Sequence, residues 1–258
     1  MRAAWLTAGA LATVIGLTLS TTLIWVGFAR ARTPSAFSER SIPFTQDEIR
    51  IKVTKGQVNV HILPGEAGEL LVNRRLRWSG ERPDVSDIWD TGTRTLRLEA
   101  VCPGYDQPEG PICQADYMLF LPPETDVDAS TTVGDLNIDG MFGDVRLTSV
   151  SGTINAVRVS GDLWARSGSG LIQANLLKGD RADLEIGSGD VYASFADPPA
   201  NVRAVVRTTG DVTVLLPEGD YDVTTEAART ALDVDKAPGA PRKVTAEAPN
   251  GTVRVCCD

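Results

Sequence analysis

His61 is the only histidine in 258 residues, and that scarcity closes off much catalytic and metal chemistry at once. A zinc-protease pair needs two histidines, and a Ser-His-Asp triad or Cys-His dyad needs one in a suitable context. His61 lies in the alternating stretch QVNVHIL with no recognisable motif around it, so it reads as a strand residue. Phosphate-binding loops are missing too. Ser167–Gly170 and Gly187–Asp190 are glycine-rich but lack the Gly-Lys-Ser/Thr ending or the third glycine, and they read as turns. No Lys/Arg cluster is interleaved with aromatics. Three of the 25 basic side chains precede Thr33, which leaves 22 against 34 acids in the remainder, a balance of −12. A surface that acidic repels phosphate backbones, so nucleic acid is not an expected partner. No catalytic residue, cofactor or metal set is expected.

Charge is absent altogether from residues 3–29, AAWLTAGALATVIGLTLSTTLIWVGFA. A helix needs roughly 20 apolar residues to span a bilayer, and Trp5 and Trp25 lie where interfacial aromatics are favoured. The rival reading is a cleavable signal with an A-x-A site at Ala29-Arg30-Ala31. The apolar run far exceeds the usual signal core, which favours an uncleaved single-pass anchor at residues 1–29. Arg30 and Arg32 after the span argue for a cytoplasmic domain by the positive-inside rule.

Cysteine argues the other way. Cys102 and Cys113 bracket a Pro/Gly-rich loop, as a disulfide closing a short turn would, and such a bond needs an oxidising compartment. Two unpaired buried thiols are the alternative. The balance favours an extracytoplasmic domain. The state of Cys256 and Cys257, adjacent in sequence, cannot be read, because a vicinal disulfide is strained.

Long helical periods are also lacking after residue 29, and aromatics make up only 6% of the chain against 24 glycines and 15 prolines. That composition suits many short strands and tight turns. Residues 30–44 have linker composition. Alternating runs follow at Glu48–Val53, Gln57–Leu63, Glu69–Trp78, Thr95–Val101 and Asp116–Pro122, with Lys55-Gly56 read as a turn and residues 79–94 as a polar loop. The soluble part, 45–258, divides into introductory strands with the disulfide loop (45–122) and a repeat region (123–258).

What is present in that last region is a period of nine. Gly134, Gly143, Gly152, Gly161, Gly170 and Gly179 follow one another at that spacing, and Asp135, Asp144, Asp162 and Asp180 follow four of them directly. The pattern loosens but persists at Gly189-Asp190 and Gly210-Asp211. Two residues after each glycine stand Leu136, Val145, Ile154, Leu163 and Ile172; four after stand Ile138, Leu147, Ala156, Ala165 and Ala174. Residues two apart on a strand share a face, so each unit carries a short apolar stripe that only stacked neighbours can bury. Glycine supplies the sharp corner and aspartate bonds nearby N–H groups. The spacing predicts an all-β solenoid in which two nine-residue legs make one coil of eighteen. An antiparallel meander folded as a sandwich is the alternative. The N-terminal strands and the terminal TVRVCCD are expected to cap the ends.

Stacked aspartates raise the question of Ca²⁺. The calcium-binding nonapeptide has doubled glycine and a later aspartate, whereas here a single glycine precedes it and Thr153 and Leu171 interrupt the series. Turn residues facing water are the expected role.

The GDLNIDG, GDVRLTSVSGTI, GSGDVYASF and TTGDVTVLLPEGDYDV series resembles the DUF4097 family, bacterial proteins described as adhesins with β-strand repeats. YMLFLPPETDVDASTTVGDL and KGQVNVHILPGEAGELLV fit its introductory strands, and the VCPG…PIC segment is similar to actinobacterial members. The resemblance spans about Glu48 to Val255. It implies a β-solenoid outside the membrane with an accessory, envelope-associated role, and it supplies no catalytic residues. The expected function is therefore a non-enzymatic, membrane-anchored, adhesin-like module facing cell-wall polymer or a surface protein. A β-helix carbohydrate-active enzyme and a self-assembling structural protein are the alternatives, since Arg146, Arg158, Arg166 and Arg181 lie near carboxylates. The ligand and oligomeric state are not encoded in any motif.

Overall fold

A computed structural model describes residues 13–25, 34–102, 112–234 and 237–257, which fall into two compact units, Met1–Pro34 and Ser35–Asp258. In the first unit residues 13–25 are helical. Their hydroxyls turn back onto the backbone, Thr18 donating to Val14 O at 2.9 Å and Thr22 to Thr18 O at 2.8 Å. Among the described residues no helix is long and apolar enough to cross a membrane. The rest of the 3–29 segment lies outside the described residues.

The second unit is built from strands. In chain order they are β1 (Ser35–Pro43), β2 (Glu48–Lys55), β3 (Val58–Pro64), β4 (Glu69–Trp78), β5 (Asp84–Asp90), β6 (Thr95–Val101), β7 (Cys113–Leu121) and β8 (Asp126–Val133). Then follow β9 (Leu136–Asp139), β10 (Val145–Val157), β11 (Leu163–Leu177), β12 (Arg181–Phe195), β13 (Asn201–Val206), β14 (Val212–Leu216), β15 (Asp222–Asp233) and β16 (Lys243–Cys257). Two of these lie where sequence composition suggested none. Residues 30–44 read as linker, yet Ser35–Pro43 pairs along its whole length with β4. The loop expected between Trp78 and Thr95 holds β5, antiparallel to β6.

Through the repeat the pairing is parallel. Leu163 lies beside Val145 and Ile172 beside Ile154, eighteen residues apart in each case. The meander alternative is thereby excluded and the solenoid holds. The step grows to nineteen between β11 and β12, where Leu163 meets Ala182, and to twenty between β12 and β13, where Ala182 meets Val202. One face runs β6, β2, β8, then the first halves of β10, β11 and β12, then β13. The other runs β7, β3, β9, the second halves of the same long strands, then β14. The inward stripes meet between the faces, and Leu136, Ile138, Val145, Leu147, Ile154, Ala156, Leu163, Ala165, Ile172 and Ala174 are all at most 3% exposed. Burying each of the larger ones contributes about 1.5–3 kcal/mol.

The glycines answer two different demands. Gly134, Gly152, Gly170, Gly189 and Gly210 form one corner column, with φ between +121° and +141°. A Cβ on Gly170 would stand 2.3 Å from Gly152 O, and one on Gly189 would stand 1.9 Å from Gly170 O. Gly143, Gly161 and Gly179 form the second column without positive φ, yet a Cβ on Gly161 would come within 2.3 Å of Gly143 O. The spacing of nine is therefore two interleaved spacings of eighteen. Only one corner needs left-handed backbone; both need backbone to approach backbone closely. Gly56, read as the turn between two strands, does join β2 to β3 and belongs to the same family of corners: the two strands do not pair, and a Cβ there would strike Ala100 O.

The ends differ from expectation as well. β16 does not cap the stack. It lies between the β13/β14 coil and β15, pairing in parallel with all three, and its Val244, Ala246, Val253 and Val255 are buried. β15 is the outermost strand.

Gly170→Ala combines a forbidden φ with a backbone clash, so it should cost about 2–4 kcal/mol and lower the melting temperature by roughly 5–10 °C. Gly68→Ala has φ +82° but open space around its Cβ and should cost only about 1 kcal/mol. Thermal unfolding of both variants beside wild type checks the difference; equal losses would refute the stacking argument.

Candidate functional site

Outward residues on parallel strands line up in rows across the coils. On the first face one row reads Arg50, Asp128, Arg146, Trp164, Asp183, Arg203. Between these side chains and the neighbouring row lies an open groove of about 580 Å³. Trp164 stands on its floor, half-buried, with the Arg146 guanidinium 4.2 Å and that of Arg166 4.4 Å from its ring centroid. Arg146 reaches Trp164 because they are one coil apart; Arg166 reaches it because they are two apart on one strand. Such contacts are worth about 0.5–1 kcal/mol each at exposed sites and hold the indole in place.

Beside the indole the charges are tied into a network. Arg166 meets Asp183 at 2.6 Å, Arg203 bridges Asp183 at 3.0 Å and Glu185 at 2.8 Å, and Arg207 meets Glu185 at 2.7 Å. Hydrogen bonding from Arg207, reinforced by Arg203 and opposed by burial, pulls the Glu185 carboxyl from 4.5 down to about 2. Burial alone would raise Asp183, but hydrogen bonds from Arg166 and Arg203 outweigh it and hold that carboxyl below its usual value. Both groups stay ionised at neutral pH, so neither is poised to donate a proton to a leaving group. At the other end of the groove Arg50 lies 3.3 Å from Asp128, and Arg94 lies 3.0 Å from Glu48. Arg146 has no such carboxylate among the described residues. Its guanidinium lies over the Trp164 ring instead.

The corner aspartates take part in the fold instead. Asp135 accepts the Thr153 N–H at 2.8 Å, Asp144 that of Asp162 at 2.9 Å, Asp190 that of Asp211 at 2.8 Å, and Asp211 that of Thr252 at 2.7 Å. Each carboxylate thus reaches one coil onward to a corner amide that the strand ladder leaves open. The carbonyls of Asp135, Asp144, Asp162 and Asp211 accept from Val60, Val127, Val145 and Val191, one coil back. Asp126 and Asn59 begin the two columns, bonding the N–H groups of Asp144 and Asp135. At Asp180 the bond to the next coil comes from its carbonyl, which accepts from Ala200 and Asn201. Hydrogen bonds to charged acceptors contribute about 1.5–3 kcal/mol each. Among the described residues no cluster of three or more His, Cys, Asp or Glu is placed to hold a metal.

Cys102 and Cys113 are bonded, with Cα atoms 5.8 Å apart; the loop they close, residues 103–111, lies outside the described residues. The Cys257 side chain does too, so the pairing of Cys256 and Cys257 has no structural account. His61 sits on the second face, away from the charged groove, beside Met118, Asn137 and Asn155 in a shallow hollow of about 280 Å³. The arginines of the groove stood out in the sequence, but Trp164 did not. Its signal was positional: an outward tryptophan with an arginine eighteen residues before it and another two after it.

A model of the Toastrack DUF4097 family matches residues 124–255. No protein of curated function matches the chain. The solved structures similar to this chain include the following three. One, from Clostridium sporogenes and provisionally described as a cell adhesion protein, shares 10% identity, with 86% of this chain and 100% of that one covered at a TM-score of 0.38. A second, from Bacteroides fragilis and provisionally described as an adhesin, shares 12% identity, with coverage of 85% and 97% and a TM-score of 0.46. The third, from Parabacteroides merdae and described in the same way, shares 11% identity, with coverage of 85% and 95% and a TM-score of 0.42.

The arginine cluster around Glu185 gives the fold a defined acid response. A folded-state pKa lowered from 4.5 to about 2 means stability that is fully present above about pH 4.5 and lost as pH falls toward 2. After allowance for solvent screening this amounts to roughly 1–2 kcal/mol. Unfolding free energies at pH 6 and pH 2.5 should therefore fall less in Glu185→Gln than in wild type; an identical fall would show that the pairing contributes nothing.

Proposed function

The chain belongs to the Toastrack DUF4097 family, and from that premise we propose that it is a non-enzymatic, adhesin-like binding module held at the outer side of a bacterial membrane by residues 3–29. The groove at Trp164 carries the reading. The half-buried indole carries two guanidinium groups over its ring, so the groove presents a fixed aromatic–cation platform for the hydroxyls of a sugar chain, and Arg146 and the largely exposed Arg181 are placed for anionic groups on the same polymer. The rows repeat along the stack at the strand spacing of about 4.8 Å, which suits an extended chain better than a compact metabolite. Cell-wall polymer is therefore the favoured ligand, ahead of a surface protein. Against an enzyme stand the depressed carboxyls of Asp183 and Glu185 beside the indole, which are held as anions at neutral pH. A carbohydrate-active enzyme of the inverting or retaining kind needs one carboxyl raised to act as an acid.

One feature favours the outer side and another the anchor. The Cys102–Cys113 bond requires oxidising conditions to persist. The 27 uncharged residues of the N-terminal segment match the span length, and the helical part satisfies its own hydroxyls, which an apolar surrounding demands.

Full-length protein in mild detergent should cosediment saturably with purified bacterial cell walls, with or without EDTA. Trp164→Ala should weaken that binding about tenfold while lowering the melting temperature by only about 2–5 °C, so that the fold survives. Absence of binding to the walls, or binding indifferent to the indole, would overturn the reading. In cells, the chain should remain with membranes through an alkaline carbonate wash, and protease added outside the membrane should digest residues 35–258; release by the wash would remove the anchor.

A further inference from the structure

We propose that the β15 end of the solenoid is a self-association surface, closed by β15 of a second copy of this chain in antiparallel, two-fold register. β15 pairs with β16 and with no other described strand, so one full edge of backbone N–H and C=O groups faces outward. The apolar residues that complete the last layer of the core are left partly uncovered there: Val223, Ala227 and Leu232 pack against the core but are not buried. An open edge of this kind is a template for another strand.

The sequence of β15, DVTTEAARTALD, says which strand. Written against its own reverse about the Ala227–Ala228 junction, Val223 meets Leu232, Thr224 meets Ala231, Thr225 meets Thr230 and Glu226 meets Arg229. Opposite charges thus face each other twice, and directly opposed charge pairs are favourable across antiparallel strands. The in–out pattern agrees with that register. Val223, Thr225, Thr230 and Leu232 lie over the inward residues Val244, Ala246, Val253 and Val255 of β16, whereas Thr224, Glu226 and Ala231 point outward with Thr245, Glu247 and Arg254. Inward side chains would therefore extend the core of one copy into that of the other. Neither Glu226 nor Arg229 has an ion-pair partner within its own chain among the described residues.

Shape agrees as well. β15 follows one face as far as Ala227, slips register, and follows the other face from Arg229. The bend of the strand and the centre of its palindrome coincide. A two-fold axis through that corner exchanges the two faces while reversing the stack, so both legs can pair at once. The mismatch lies at the outer limits, where Asp222 faces Asp233 of the second copy, with Lys243 one strand away in register with Asp222.

A head-to-tail fibre is disfavoured by the other end. There β1 and β5 run antiparallel to their neighbours, and β5 presents Asp84 and Asp90 to a strand that itself carries Asp222, Glu226 and Asp233, Asp87 being paired with Arg74 and Arg40. The closed pair is isologous, and it sets the two β1 ends at its opposite extremes.

Charge reversal decides it. Full-length protein in detergent micelles, at about 10 μM, should have the mass of a dimer by light scattering after the detergent is subtracted. Glu226→Arg alone or Arg229→Glu alone should weaken self-association at least tenfold, and the double variant should restore it. Circular dichroism melts should coincide for all four proteins, since both side chains are exposed. A monomeric wild type would overturn the proposal, as would polymers that lengthen with concentration. A dimer indifferent to the single reversals would place association elsewhere, and failure of the double variant to recover would refute the register.

Discussion

The close approach of one coil's corner to the next governs everything else in this structure. At each glycine corner the backbone of one coil lies so near the carbonyl of the coil before it that no Cβ fits between them. The turned chain also leaves an amide without a ladder partner. Glycine meets the first condition. The aspartate after it meets the second, from one coil away, as a charged acceptor. The two residues of the repeat thus act on different coils: glycine admits the preceding turn, and aspartate holds the following one. Side chains between corners are then free to vary outward, provided the two inward positions of each leg stay apolar.

That freedom is what produces a site. Because the coils stack in register, residues eighteen apart in sequence become neighbours in a row, and a row can be composed one coil at a time. Arg146, Trp164 and Asp183 come from three successive strands and owe their proximity to the corners, not to any local motif. The rigidity of the scaffold fixes the indole without a loop to carry it. The same stacking explains why the carboxylates around Arg166, Arg203 and Arg207 are ion-paired: in a row of alternating charge, each side chain has an opposite neighbour on either side.

Much of this was legible in the sequence, and the limits are physical. Inward positions such as Leu136, Ile154 and Ala174 declare themselves because strand periodicity and burial coincide. The corner glycines declare themselves because nothing else fits. Lys55-Gly56 declares a turn but not its kind, because a corner and a hairpin ask the same thing of local turn chemistry, and only the partner strands distinguish them. β1 and β5 were hidden because edge strands carry polar residues on both sides, and SAFSERSIP has the composition of a linker. The place of β16 could not be read at all. Val253 lies beside Val212, a step of forty-one, and no periodicity announces that a coil has been skipped. Trp164 did not stand out, because its companions follow only once the coil length is known.

The position of β16 bears on the order in which the molecule can be assembled. β15 precedes it in the chain yet lies outside it in the stack. If coils simply accreted in the order of synthesis, β15 would dock on β13 and β14 first, occupying the slot that β16 needs. Since parallel pairing of β15 with that coil would satisfy similar hydrogen bonds, a strand docked there first would be a kinetic trap. Escape requires β15 to detach before β16 can enter. Folding at this end is therefore non-vectorial, and its barrier depends on how weakly β15 grips the earlier coil. The alanines and threonines of β15, poor in buried apolar area beside the valines of β16, make that grip weak, so composition tunes the route as well as the final structure.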